Sequence, residues 1–134
     1  MISCRGIRGA ITVEANQEET ILTATRSLLQ RIVTLNHLAT EDIASAIFTA
    51  TPDLDAAYPA RAAREMGWTE VPLLCMQEMV VVESLARCIR VLVHWNTDRS
   101  PDQIHHVYLG QARILRPDLA QASRPMSHQS LKGG

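Results

Sequence analysis

Ile21, Leu22, Leu28, Leu29, Ile32, Val33 and Leu35 recur every three or four positions, with Glu18, Arg26, Gln30 and Arg31 between them. That is the spacing of one helical face, and it predicts a helix running from Asn16, a capping residue with Glu19 three positions on, to Asn36-His37. Upstream, Ile2 to Val13 predicts a strand. Gly6 and Gly9, beside Arg5 and Arg8, suggest close backbone approach rather than a regular strand interior. Ile43 to Ala50 fits helix or strand by period; Ile47, Phe48 and Thr49 favour a strand, closed by Thr51-Pro52-Asp53. Pro59 opens a short helix through Met66, stopped by Gly67. Val71 to Met76 predicts a buried strand, with Val80-Val81-Val82 continuing structure before a polar turn at Glu83-Ser84. From Arg87 to Trp95 the period is two: Ile89, Val91, Val93 and Trp95 make a uniformly apolar face, while Cys88, Arg90, Leu92 and His94 make a mixed one. A last strand is expected within His106 to Leu115, after a turn at Ser100-Pro101-Asp102, and a polar tail after Leu119. The order β-α-β-α-β-β-β predicts an α+β fold, a mixed β-sheet with two helices on one face. The uncovered face predicts packing against another subunit.

Composition narrows the function classes. The 134 residues fit one domain, and 46% hydrophobic against 20% charged residues is the balance of a folded chain rather than a disordered one. Aromatics are only 4%, so the core must come from Val, Ile, Leu, Ala and Met. The net charge of −1 predicts no nucleic acid and no membrane as partner, while leaving local clusters of one sign open. Apolar runs fall short of the roughly 18 residues that a membrane span needs. Met1 to Gly9 carries Arg5 and Arg8 and no apolar stretch like a secretory leader. Cys4, Cys75 and Cys88 are odd in number and lack CxxC spacing, which predicts free thiols in a reducing cytoplasm.

The candidate chemistry lies in the arginines. Arg90 sits mid-strand between Ile89 and Val91. A buried guanidinium needs an anion, so Arg90 is either a structural ion-pair partner or part of an anion pocket. Arg8, Arg61, Arg64 and Arg116 are each ordinary surface charges taken singly. If they converge they form a cationic pocket for a small dianion, because the guanidinium fork matches a carboxylate. Glu78, at a strand end, could be a general base, an acceptor for a substrate hydroxyl, or a surface acid. Cys75 reads as a small buried hydrophobe, with no neighbouring base to activate it. Asp102, His105 and His106 make a poor metal set, since adjacent residues of a strand point to opposite faces. Tyr108 shares a strand face with His106. Phosphate loops, Ser-His-Asp order and HExxH are missing from the sequence.

Six ordered blocks carry a resemblance: Arg5-Gly6-Ile7-Arg8-Gly9-Ala10, Ala50-Thr51-Pro52-Asp53-Leu54, Cys75-Met76-Gln77-Glu78-Met79, Cys88-Ile89-Arg90-Val91, His106-Val107-Tyr108-Leu109 and Leu115-Arg116-Pro117-Asp118-Leu119. Together they resemble the monofunctional chorismate mutases of the AroH class, the Bacillus type, over roughly residues 2 to 119. The resemblance implies a single chorismate-mutase-like domain over 1–119, with 120–134 as tail. It implies a homotrimer arranged as a pseudo-α/β-barrel, with active sites between adjacent subunits, and conversion of chorismate to prephenate without a cofactor or metal. By position it assigns substrate contact to Arg8, Glu78, Arg90, Cys75 and Tyr108, and flanking roles to Tyr58, Arg61, Arg64 and Leu115, several of them from the neighbouring subunit. Tyr58 and Arg61 stand where the family commonly has Phe and Lys. Met66-Gly67-Trp68 is one residue shorter than the usual spacing, and Val80 to Ser84 lacks a Gly-containing turn.

The implied reaction is a Claisen rearrangement, in which a C–O bond breaks as a C–C bond forms. It needs a compact conformer held by its two carboxylates and positive charge beside the ether oxygen. Arg90 is expected to supply that charge, Glu78 to accept from the substrate hydroxyl, and Arg8 with Tyr108 to orient the side-chain carboxylate. The alternative is a non-catalytic trimer that binds a small acidic metabolite at subunit clefts.

Overall fold

The strand with strict two-residue alternation lies at the centre of the sheet. In the computed structural model, which describes residues 1–118, the strands are β1 (Ser3–Thr12), β2 (Ile43–Ala50), β3 (Leu73–Gln77), β4 (Cys88–Thr97) and β5 (Val107–Leu109). The helices are α1 (Glu18–Asn36) and α2 (Ala60–Glu65). Strand order is β3-β2-β4-β1-β5. β4 runs antiparallel to both neighbours, β1 and β2, whereas the outer pairs β1–β5 and β2–β3 are parallel. The mixed sheet with two helices is therefore as expected. The tail expected over 120–134 lies outside the described residues.

One face of β4 builds the core. Ile89, Val91, Val93 and Trp95 are buried, and Val91, Val93 and Trp95 pack with Leu28, Leu29 and Ile32 of α1 and Ala60 and Ala63 of α2. Each such aliphatic side chain contributes about 1.5–3 kcal/mol when fully buried. Both helices thus cover the same side. Gly9 lies in a regular β1 ladder rather than breaking it, but the close approach is real: a Cβ there would stand 2.8 Å from Ile32 Cδ1 and 3.0 Å from Val91 Cγ1. The opposite, open face leaves Leu74 and Met76 about half exposed.

Three local expectations are corrected. Asn16 does not cap α1: the cap position is Gln17, and Asn16 instead accepts the backbone N–H of Asp55 and Ala56 and donates to Asp55 Oδ1 at 2.7 Å. Its short amide ties a distant loop, while Glu18 and Glu19 complement the positive helix end. Secondly, β4 begins at Cys88, not Arg87, and continues to Thr97. Arg87 has a left-handed φ of 46° because both Asp53 carboxylate oxygens take its backbone N–H, at 2.9 and 3.2 Å. Finally, Val80–Val82 is an exposed loop. Glu78 N–H makes a last bond to Ala50 O, after which the chain must cross the end of β2 to reach β4 and has no strand to pair with.

Candidate active site

Cross-strand register sets the site. On the open face Tyr108, Ala10, Arg90, Thr49 and Met76 stand side by side across β5, β1, β4, β2 and β3. The next row holds Arg8, Leu92, Ile47 and Leu74. Two arginines that are 82 positions apart in sequence numbering, 90 against 8, therefore share one face, one ladder step apart.

Arg90 is 48% exposed at its side chain, so it is not the buried charge that its apolar neighbours suggest. Its Nε lies 3.5 Å from Glu78 Oε1. An ion pair this accessible is worth at most about 1 kcal/mol and does not by itself require a guanidinium there. The Thr49 hydroxyl donates to the same Glu78 oxygen at 2.5 Å, which fixes the carboxylate. Arg90, Glu78, Thr51, Ser84, Leu85 and Cys88 line a hollow of about 240 Å³.

Tyr108 ends the Arg90 row, buried with Ala10, Cys88 and Ala112, and Leu115 packs on the same cluster. Burial pushes the Tyr108 phenol up, against the opposing pull of Arg8, Arg116 and Arg90. Three cationic side chains thus bear on one phenol. Arg116 holds Asp118 at 3.1 Å. Arg8 lines a second hollow, of about 340 Å³, with Cys4, Gly6, Leu92, Ile104 and His106.

The remaining candidates lie elsewhere. Cys75 pairs in register with Phe48, on the helix-covered side of the sheet. Burial raises its thiol pKa, with Ala60 N–H and the Arg64 charge working the other way. Tyr58, Arg61 and Cys75 line an open cleft of about 570 Å³ with Pro52, Met76 and Gln77. Arg61 is committed within the chain, to Glu18 at 2.7 Å and Glu65 at 3.1 Å. The expected residues therefore fall into two groups: Arg8, Glu78, Arg90, Tyr108 and Leu115 around the open face, and Tyr58, Arg61, Arg64 and Cys75 at the α2 side. None of the three hollows described is lined by candidate residues of both groups.

Sequence reasoning passed over two residues. Thr49 was signalled by its strand alternation, but its partner Glu78 is 29 positions away. His106, considered above only as a poor metal ligand, accepts the Arg8 backbone N–H at Nδ1.

An α+β sheet that sets Arg8 and Arg90 on one open face is a fold suited to holding a small anion. The chain matches the model of chorismate mutase type I over residues 4–119, and it belongs to that family. It is 52% identical to chorismate mutase AroH of Bacillus subtilis over 117 residues, 87% of this chain and 92% of that protein. To chorismate mutase AroH of Thermus thermophilus it is 52% identical over 119 residues, 88% of this chain and 98% of that protein. The solved chorismate mutase from Clostridium thermocellum superposes with a TM-score of 0.81 at 50% identity, covering 82% of this chain and 98% of that one.

Proposed function

We propose that this chain performs its family's reaction, chorismate to prephenate, by holding and polarising the substrate with fixed charges and forming no covalent intermediate. As a chorismate mutase it is an isomerase of aromatic amino acid biosynthesis. The rearrangement is intramolecular, so the protein must select the reactive conformer and match the charge that shifts as the ether bond breaks. Arg90 donates to the ether oxygen. Glu78, held by Thr49, accepts from the ring hydroxyl and offsets the cationic field. Arg8 and Tyr108 orient the side-chain carboxylate, and Leu115 closes the apolar side.

The observation that carries this reading is the row Tyr108–Ala10–Arg90–Thr49, where a half-exposed guanidinium stands beside a fixed carboxylate. A millionfold acceleration needs about 8 kcal/mol, of which one preorganised donor supplies roughly 3–4. No group in this scheme has to gain or lose a proton.

The assembly is a homotrimer, a pseudo-α/β-barrel with clefts between subunits. Support comes from the split between the two groups of candidate residues and from the half-exposed apolar side chains Leu74 and Met76 on the open face. In the trimer Tyr58, Arg61, Arg64 and Cys75 of one subunit complete the Arg90 site of the next. The free thiols Cys4, Cys75 and Cys88 support a cytoplasmic placement. Among the described residues no helix is long and apolar enough to cross a membrane.

The test is the loss of chorismate absorbance with purified protein, with prephenate identified as product. Saturable binding of chorismate without turnover overturns the enzyme reading in favour of a metabolite-binding trimer.

A further inference from the structure

Beyond the residues that face the substrate, the structure carries a link between α1 and Arg8. Asn36, fully buried at the end of α1, takes the His105 N–H at Oδ1 and gives Nδ2–H to the His105 carbonyl, both at 2.9 Å. Both backbone groups of His105 are therefore turned toward the helix. The β1–β5 ladder starts only at Gly9↔Val107. One residue before it, the Arg8 N–H donates to His106 Nδ1 at 2.9 Å. A side chain stands where a longer parallel strand would offer a carbonyl.

We propose that His106 is a positioning residue for Arg8: its neutral ring, protonated at Nε2, accepts the Arg8 backbone N–H at Nδ1 and sets where the Arg8 guanidinium meets the substrate carboxylate. This rests on the role of Arg8 in chorismate binding. The geometry fixes the tautomer, because a nitrogen that accepts cannot carry the proton. Protonation of the ring would place N–H groups on both nitrogens and abolish the bond. Burial lowers the His106 pKa first, and Arg8 from β1, Arg116 from the segment after β5 and the adjacent His105 lower it further. Each of these favours the neutral ring, the form the contact requires, and protonation on acidification removes the contact. A guanidinium does not discharge on acidification, so the loss of the contact moves a charge without removing it.

Three measurements test this. In His106→Leu, which keeps bulk and removes the acceptor, the KM for chorismate should rise about tenfold, the order of one hydrogen bond, with kcat changed less than threefold. His106→Asn, whose amide oxygen can replace Nδ1 as acceptor, should recover most of that loss. In the parent KM should climb as acidification protonates the ring, whereas in His106→Asn it should stay level, since the amide does not titrate. Nitrogen-15 NMR of the free protein, with His106 assigned by its absence in His106→Asn, should show the Nε2–H tautomer at pH 8. A protonated Nδ1, or parallel pH profiles of KM in parent and His106→Asn, overturns the proposal even if His106→Leu does not fold. If His106→Leu folds and keeps the parent KM, the proposal also fails. Absence of turnover in the parent would count against the functional reading instead, and the NMR arm would still decide the hydrogen bond.

Discussion

Thr49 and Arg90 stand directly opposite each other across the β2–β4 ladder and address the same atom, Glu78 Oε1, at 2.5 and 3.5 Å. The hydroxyl holds the carboxylate, and the guanidinium lies close enough to feel its charge while leaving about half of its own surface free. Arg90 is therefore placed without being consumed by its partner, which is what a transition-state donor requires.

If Arg90 is the proposed donor, its removal should slow the reaction more than it weakens binding. Arg90→Ala is expected to lower kcat/KM by more than a hundredfold, about 3 kcal/mol, mostly in kcat. Arg90→Lys should recover only part, because a point charge on a flexible stem does not reproduce the fork. Melting temperature and oligomer size should match the parent, since the side chain is half exposed. A folded Arg90→Ala protein whose kcat stays within threefold of the parent would make Arg90 a structural ion-pair partner.

The division of candidate residues between the two sides of the sheet makes a quantitative mixing experiment possible. Light scattering at micromolar concentration should report a trimer. Arg64→Ala and Arg90→Ala proteins, each nearly inactive or weakened alone, should regain activity after subunit exchange, because some clefts then combine two intact halves. Arg64→Ala alone should act chiefly through KM. Exchange without any recovery would place both side chains in one chain's site.

With no proton transferred, kcat should be nearly flat from about pH 6 to 9, where an ordinary Glu is ionised and Arg protonated. Steady-state turnover at saturating chorismate, with folding checked at each pH, distinguishes this from a bell with two steep limbs, the mark of general acid–base catalysis.

Asp53 should contribute to acid stability. Partial burial pushes its carboxyl up, but the Thr51 hydroxyl, the Arg87 and Asp53 backbone N–H groups and the Arg87 charge outweigh that, so its pKa is lowered. A group with a depressed folded pKa stabilises above its unfolded value, near 4, and loses that contribution as pH falls through the folded one. Asp53→Asn should accordingly lower the melting temperature at pH 7 and narrow the gap from the parent as pH falls below the ordinary carboxylate range. A constant gap across that range would mean that charge plays no part.

Gly9→Ala should overpack the core under Arg8. The added methyl meets Ile32 Cδ1 at 2.8 Å, Val91 Cγ1 at 3.0 Å and Leu28 Cδ1 at 3.3 Å, and should cost about 1–3 kcal/mol in denaturant unfolding. A variant as stable as the parent would show that α1 can retreat freely from β1.

By itself the sequence determined whatever depends on short-range periodicity. The helix ending at Asn36, the strict alternation of Ile89, Val91, Val93 and Trp95, and the order of strands and helices all follow from neighbours three, four or two residues apart. The ordered motif blocks, which span most of the chain, pointed to the family for a similar reason, since each is a local string. Strand order and register were decided only in three dimensions. Nothing local says that β4 inserts between β1 and β2, and that insertion is what sets Arg90 opposite both Ala10 and Thr49 and one ladder step from Arg8. Burial was misread at Arg90 for the same reason: flanking apolar residues lie on the other face of the strand, so they report the core below it and not the exposure above. Asn16 was misread as a cap because a short polar side chain suits a helix cap and a distant backbone N–H equally, and the bond from Arg8 to His106 had no local signal: only the folded chain brings Asp55 and Arg8 within 3 Å of these side chains.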